Sequence, residues 1–286
     1  MRFAEYFASR TGPVISFEVY PPKTDKAMSQ LEDALPRLIA LCPSYMTVTY
    51  GAFGTTQART LEIAARIKEV HGLETASHLT CVGSSRDEID GILDRLTDHG
   101  IENIVALRGD PPAGQEHFVA PAGGFAHGSD LVAHIRKTGR FGLAVAGYPE
   151  KHRDAPDLET DMRYLKLKVE AGGDIIITQL FYDNADFFAF ERKLRALGVK
   201  APLVPGLLPI QSFSQIQRLA SLCGSRIPPL LKKELEAAGD DEERTQDVGI
   251  RWTVAQCREL LARGVPGIHF YVLNRAAPME RIMTAL

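Results

Sequence analysis

Neither sign of charge dominates this sequence, and no stretch of it stays apolar for long. The 286 residues carry 33 Lys and Arg against 36 Asp and Glu, a net charge of −3, which leaves no basic footprint for a nucleic-acid backbone. No window approaches the run of ~20 apolar residues that a membrane span requires. The opening stretch MRFAEYFASRTGP has Glu5 where a secretory signal would be apolar, and no small-residue cleavage site. It reads as mature sequence, with the cytoplasm as the expected location. Cysteine is scarce: Cys42, Cys81, Cys223 and Cys257 stand far apart with no C-x-x-C pair, which argues against a zinc knuckle and leaves buried structural thiols as the expectation. Also missing are a G-x-G-x-x-G after the first strand and any G-x-x-x-x-G-K-[ST], the dinucleotide and phosphate-loop signatures of an open, doubly wound sheet.

What the sequence does have is rhythm. With 45% hydrophobic residues it can bury a large core, and its β-branched and aromatic residues gather into eight short runs: VISFEVY (14–20), YMTVTY (45–50), TASHLTC (75–81), NIVALRG (103–109), GLAVAGYP (142–149), DIIITQLF (174–181), PLVPGLL (202–208) and GIHFYVL (267–273). Between them lie segments with apolar residues three and four apart, such as TLEIAARIKEV (60–70) and DEIDGILDRLTDHG (87–100), the spacing of amphipathic helices. Strands alternating with helices call for parallel pairing and right-handed crossovers, and eight such units predict one (β/α)8 barrel domain over 1–286, with a doubly wound sheet as the rival. The longest irregular connection is 109–127, and 227–264 reads as two helices joined by an acidic turn.

In such a barrel the working residues stand at the C-terminal ends of the strands. This chain sets polar groups there repeatedly: Glu18 and Tyr20, Thr49 and Tyr50, His78 and Thr80, Arg108 and Asp110, Tyr148, Glu150 and His152, Gln179 and Asp183, then Tyr271, Asn274 and Arg275. In SFEVYPP, alternation turns Phe17 and Val19 toward the helices and Ser16, Glu18 and Tyr20 toward the barrel axis. A carboxylate aimed into an apolar mouth is expected to hold its proton, the state a general acid needs at neutral pH. The competing reading is a structural carboxylate paired with Arg275 or Arg108. His78 has no second histidine at ligand spacing, so a metal barrel is disfavoured. Lys166 and Lys168 fall on a helix, so a Schiff-base enzyme lacks its nucleophile, and the aromatics of LFYDNADFFAFERKL (180–194) read as a core stripe. A rim of one acid, many hydrogen-bonding groups and cations, with no nucleophile or metal, suits a site where a bound cofactor carries the chemistry.

The motifs SFEVYPPKT (16–24), VTYGA (48–52), HLTC (78–81), VALRGDPP (105–112), AGYPEKH (146–152), ITQLFYD (177–183), PGLLPI (205–210) and HFYVLNRA (269–276), in this order, resemble the catalytic barrel of the methylenetetrahydrofolate reductase family, in its short bacterial form. The resemblance implies a cytoplasmic, homo-oligomeric FAD enzyme of one-carbon metabolism that takes a hydride from NADH or NADPH and reduces 5,10-methylenetetrahydrofolate to 5-methyltetrahydrofolate in two half-reactions. By the same resemblance Glu18 would protonate the folate at N10 and Asp110 would lie beside the flavin pyrimidine edge and the pterin. Thr49, His78, Leu107, Arg108, Gly109, Ala146, Tyr148, His152, Asp161 and Lys168 would hold FAD, and Gln179, Gln215, Tyr271 and Arg275 would contact folate or nicotinamide. Where bacterial relatives carry a stacking Phe in the helix after PGLLPIQSF, this chain has Leu219, with Phe213 close by. A flavin barrel of the proline dehydrogenase kind and a folate- or flavin-binding subunit without turnover are the alternatives.

Overall fold

The structure is a computed structural model that describes the chain apart from Arg10, residues 51–54 and 112–117, and Asp240, and without the side chains of 55–57. Gly51 and Ala52 of VTYGA and Pro112 of VALRGDPP lie outside the described residues. Six strands follow the predicted runs closely: β1 (Val14–Val19), β2 (Tyr45–Val48), β3 (Thr75–Thr80), β4 (Asn103–Leu107), β5 (Gly142–Gly147) and β6 (Ile175–Thr178). The seventh run is split into β7 (Leu203–Val204) and β8 (Gly206–Leu207), and the eighth forms β9 (Gly267–Tyr271). All pairings are parallel, in the order β7-β6-β5-β4-β3-β2-β1-β9-β8. Pro205 sits at the split: it has no N–H to give, and its carbonyl accepts from His269 N at 2.9 Å. With β7 on β6 and β8 on β9, the broken strand closes the ring, and the fold is the expected (β/α)8 barrel.

Helices alternate with the strands: α1 (Phe3–Ala8), α2 (Asp25–Ile39), α3 (Thr55–Glu69), α4 (Arg86–Asp98), α5 (Gly128–Lys137), α6 (Leu158–Glu170), α7 (Asn184–Ala196), α8 (Phe213–Cys223), α9 (Pro229–Ala238), α10 (Glu242–Ala262) and α11 (Ala277–Ala285). Their starts are set by side-chain caps, including Thr24, Asp157, Asp183 and Ser212, with a reciprocal Ser85 and Glu88 box on α4, each removing an orphan N–H from the helix end. Helices α9 and α10 are the two read from 227–264. Among the described residues no helix is long and apolar enough to cross a membrane.

Two apolar layers result. The larger lies between strands and helices and takes Phe17, Val19, Met46, Leu79, Ile104, Leu143 and Phe270. The smaller fills the barrel's N-terminal end, where Val14, Tyr45, Ala76, Val105, Ala144, Ile175 and Val204 meet Phe3 and Phe7 of α1. Phe3 packs edge to face on Tyr45 at 5.1 Å, so α1 closes the floor and the polar groups collect at the opposite mouth.

Two expectations are corrected. Tyr20 lies past the end of β1 and is 43% exposed rather than turned to the axis, because the chain leaves the ladder before Pro21 and Pro22. Cys42 is exposed, with φ of 54°, at the end of the α2 to β2 turn, while Cys81 and Cys257 are buried.

Barrel closure leaves little room at Gly206: a Cβ there would overlap the Thr178 carbonyl oxygen and lie 2.7 Å from the Tyr271 hydroxyl. Gly206→Ala is expected to cost about 1–3 kcal/mol in urea unfolding, whereas Gly12→Ala, with no atom within 4 Å of its Cβ, is expected to leave the midpoint in place.

Candidate active site

Glu18 is turned inward as alternation requires, and its side chain is 15% exposed. One oxygen, Oε2, gathers polar groups from three other strands. Thr47 Oγ1 of β2 donates to it at 3.1 Å, and His269 Nε2 of β9 approaches to 3.3 Å. His78 Nε2 of β3 stands at 3.0 Å but off hydrogen-bond alignment, so that nitrogen makes no hydrogen bond among the described residues. The register explains the gathering. Glu18 pairs with Thr47 across one edge and with Tyr271 across the other, and His269 is opposite Ser16. Ser16 Oγ lies 2.8 Å from His269 Nδ1. With Nε2 directed at the carboxylate and Nδ1 at the Ser16 hydroxyl, the His269 imidazole is held at both ends.

This geometry corrects the expected protonation state. Burial pushes the Glu18 carboxyl up, but the charge of His78, then the hydrogen bond and charge of His269, outweigh it and hold the group well below the usual carboxylate range. The carboxyl is ionised, and its partners are two imidazoles rather than Arg108 or Arg275. Arg108 donates from Nη2 to Asp154 Oδ2 at 2.7 Å, and Arg275 is exposed.

A second group of predicted residues forms the wall made by β4, β5 and α6. Lys168 Nζ donates to the Ala146 carbonyl at 2.6 Å and lies 5.9 Å from the centre of the Tyr148 ring. Burial, with the nearby Arg108 charge, lowers its ammonium to about 8 against the opposing pull of Asp161. Tyr148 stacks edge on to His152 at 4.6 Å. His152 N donates to Asp161 Oδ2 at 2.9 Å, and the ring's Nδ1 accepts from Asp154 N at 3.1 Å. Burial, then Arg108, lowers the His152 imidazole, in keeping with a nitrogen that accepts. Burial raises the Tyr148 hydroxyl, with the charges of Asp110 and Asp161 adding to it, so the exposed Asp110 bears on this wall. Gly109 has φ of 85°, and a Cβ there would lie 2.6 Å from Val82 and 3.1 Å from Thr80; only glycine lets the chain turn over the end of β3.

The remaining predicted residues are more scattered. Gln179 turns its Oε1 back to Leu180 N at 2.8 Å, and Gln215 Oε1 accepts from Gln211 N at 3.3 Å. Thr49 gives its carbonyl to Thr60 Oγ1, and Leu107 ends β4. Tyr271 donates to the Thr178 carbonyl at 2.6 Å. Leu219 and Phe213 both pack, partly buried, beside the cluster of Leu180, Tyr182 and Ile216. Sequence reasoning missed Thr47 and His269 as partners of Glu18, and Ser16 as the partner of His269. The signal for His269 was present, since it precedes the inward Tyr271 by two residues on one strand.

A family model described as methylenetetrahydrofolate reductase matches residues 4–286. Methylenetetrahydrofolate reductase (NADH) 1 of Arabidopsis thaliana is 42% identical over 270 residues, covering 91% of this chain and 46% of that protein. The 5,10-methylenetetrahydrofolate reductase of Pectobacterium carotovorum subsp. carotovorum is 37% identical over 264 residues, covering 92% of this chain and 86% of that one. The chain thus spans about half the length of its plant relative and most of the bacterial one. Among solved structures, an uncharacterized protein from Clostridium thermocellum that binds two copies of 5-methyl-5,6,7,8-tetrahydrofolic acid shares the fold, with a TM-score of 0.65 and 18% identity over 98% of this chain and 96% of that one. Matched from residue 4 to its last residue and more than a third identical to both plant and bacterial members, the chain belongs to the methylenetetrahydrofolate reductase family.

Proposed function

We propose that this chain reduces 5,10-methylenetetrahydrofolate to 5-methyltetrahydrofolate, with NADH or NADPH as hydride source and FAD as carrier. The observation that carries the reading is the Glu18 carboxylate between His78 and His269, inside the one open end of the barrel.

The β4, β5 and α6 wall suits FAD. Lys168 is a cation inside the wall with a neutral carbonyl as its hydrogen-bond partner, Arg108 offers a fork of donors beside it, and Thr80 Oγ1 and His78 Nε2 are buried polar atoms without a hydrogen-bond partner among the described residues. Arg108 and Lys168 would take the phosphate and ribityl groups, Tyr148 and His152 would flank the cofactor, and Asp110 would stand at its pyrimidine edge. FAD would supply the capacity to take a hydride from the nicotinamide and give it to the folate methylene.

The protein's own part is the proton. Opening the five-membered ring of the folate requires N10 to leave as an amine, so a proton must arrive there as the C–N bond breaks. An ionised Glu18 has none to give by itself. The acid is therefore the cluster in its protonated form: an imidazolium at His78 would pass its Nε2 proton to the Glu18 carboxylate as Glu18 delivers one to N10, leaving a neutral imidazole. Ser16 and Thr47 keep the His269 imidazole and the carboxylate in place. The hydride then reaches a methylene iminium, and one proton and one hydride account for the product.

Glu18→Gln is expected to leave flavin reduction by NADH intact and to slow folate reduction by about 10²–10⁴, measured as separate half-reactions by anaerobic stopped-flow. Equal loss in both would make Glu18 structural, and a colourless protein that cannot be loaded with FAD would favour a binding subunit.

A second expectation concerns pH. The Lys168 ammonium is lowered to about 8, so its charge is full below that pH and is lost as pH rises through it; an anionic cofactor bound beside it favours the charged form. FAD affinity is expected to be constant below pH 7 and to weaken above about 8, by fluorescence titration, and Lys168→Met is expected to weaken binding and flatten this dependence.

A further inference from the structure

The main-chain pairing of β1 with β9 ends at Glu18 opposite Tyr271, followed by one more bond, from Val272 N to the Glu18 carbonyl at 3.2 Å. Beyond it Pro21 and Pro22 cannot donate. The next tie comes from a side chain. Tyr20 N donates to Asn274 Oδ1 at 3.0 Å, and Asn274 Nδ2 donates to the Tyr20 carbonyl at 2.9 Å. A primary amide thus satisfies both main-chain groups of one residue, as a ladder partner would, where the backbone of the facing segment has turned away.

That turn is strained. Leu273 and Asn274 have φ of 48° and 58°, two successive left-handed residues without a glycine, at a cost of roughly 1–2 kcal/mol for a residue such as Leu. Asparagine tolerates this region better than most. Leu273 packs beside the cluster of Tyr182 and Leu208, and Arg275 N closes the turn on the Val272 carbonyl at 3.0 Å. The conformation is therefore held from both sides, and it delivers the Asn274 amide to Tyr20.

We propose that Asn274 is a positioning residue for Glu18: by clamping Tyr20, two residues along, it fixes the end of β1 against the segment that carries His269. On its other edge the same end of β1 is held by Thr49 N donating to the Val19 carbonyl at 2.9 Å. Glu18 Oε2 shares its partners among β2, β3 and β9 at 3.0 to 3.3 Å. Contacts of that length fail with a small slide of β1, and Asn274 opposes the slide toward solvent. The inference rests on the proton-delivering role of Glu18 set out above.

The test uses the full chain loaded with FAD, with Asn274→Gly, which keeps the left-handed backbone and removes the amide, Asn274→Asp, which keeps the acceptor and loses the donor, and Glu18→Gln alongside. Asn274→Gly is expected to slow the folate half-reaction by about 10–100-fold, to leave flavin reduction unchanged, and to move the ring-nitrogen NMR signals of His269; Asn274→Asp is expected to fall between it and wild type. If Glu18→Gln is selective for the folate half-reaction and Asn274→Gly is not, the proposal is overturned. If Glu18→Gln is not selective, the role given to Glu18 fails, and the His269 signals decide the clamp by themselves: unmoved in Asn274→Gly, they refute it.

Discussion

A single carboxylate oxygen holds the mouth of this barrel in order. Glu18 Oε2 meets groups from β2, β3 and β9; β2 and β9 flank β1 in the sheet, and β3 follows β2. A charge in the upper barrel without partners would cost several kcal/mol after relaxation. The charge of His78 and the hydrogen bond from His269 offset that cost, so the parallel register that brings the neighbouring strands beside β1 also sets the charge of Glu18. The broken seventh strand is part of it, since the Pro205 carbonyl takes the main-chain N–H of His269 and sets the residue whose ring reaches Glu18.

The two ends of the barrel divide the work. At the floor, Phe3 and Phe7 of α1 seal an apolar layer that needs no polar partners. Above it comes a layer with Ser16, Thr47 and His269, and above that Glu18 and His78 with the open rim. The apolar layer screens this polar layer from below. The wall of Arg108, Tyr148, His152 and Lys168 lies on the β4, β5 and α6 side, apart from the strands β1, β2, β3 and β9 that gather around Glu18.

Much of this was legible in the sequence. The eight runs and the helical spacing between them gave the barrel, and period-two alternation put Phe17 and Val19 outward and Glu18 inward. What failed was the charge state of Glu18. Burial can be read from one strand, but the two histidines that outweigh it stand 60 and 251 residues away and reach Glu18 through parallel register. Tyr20 was placed inward by extending the alternation one residue past the true end of β1. The break at Pro205 and the left-handed pair at 273–274 were hidden for a related reason, since both depend on where neighbouring strands stop. Gln179 and Gln215, assigned through the family, turn their side chains to their own loops, a local bond that no motif reveals.

The account stands on Glu18 being a carboxylate whose proton is kept by its neighbours. The direct measurement is a pH titration of the Glu18 side-chain carboxyl by 13C NMR in glutamate-labelled protein, with the signal assigned by its loss in Glu18→Gln. The account predicts an ionised carboxyl at pH 7 that stays ionised on acidification well past the pH at which surface glutamates take up protons. A Glu18 carboxyl found protonated at pH 7 would contradict it, and would restore burial alone as the force that sets the charge at this site.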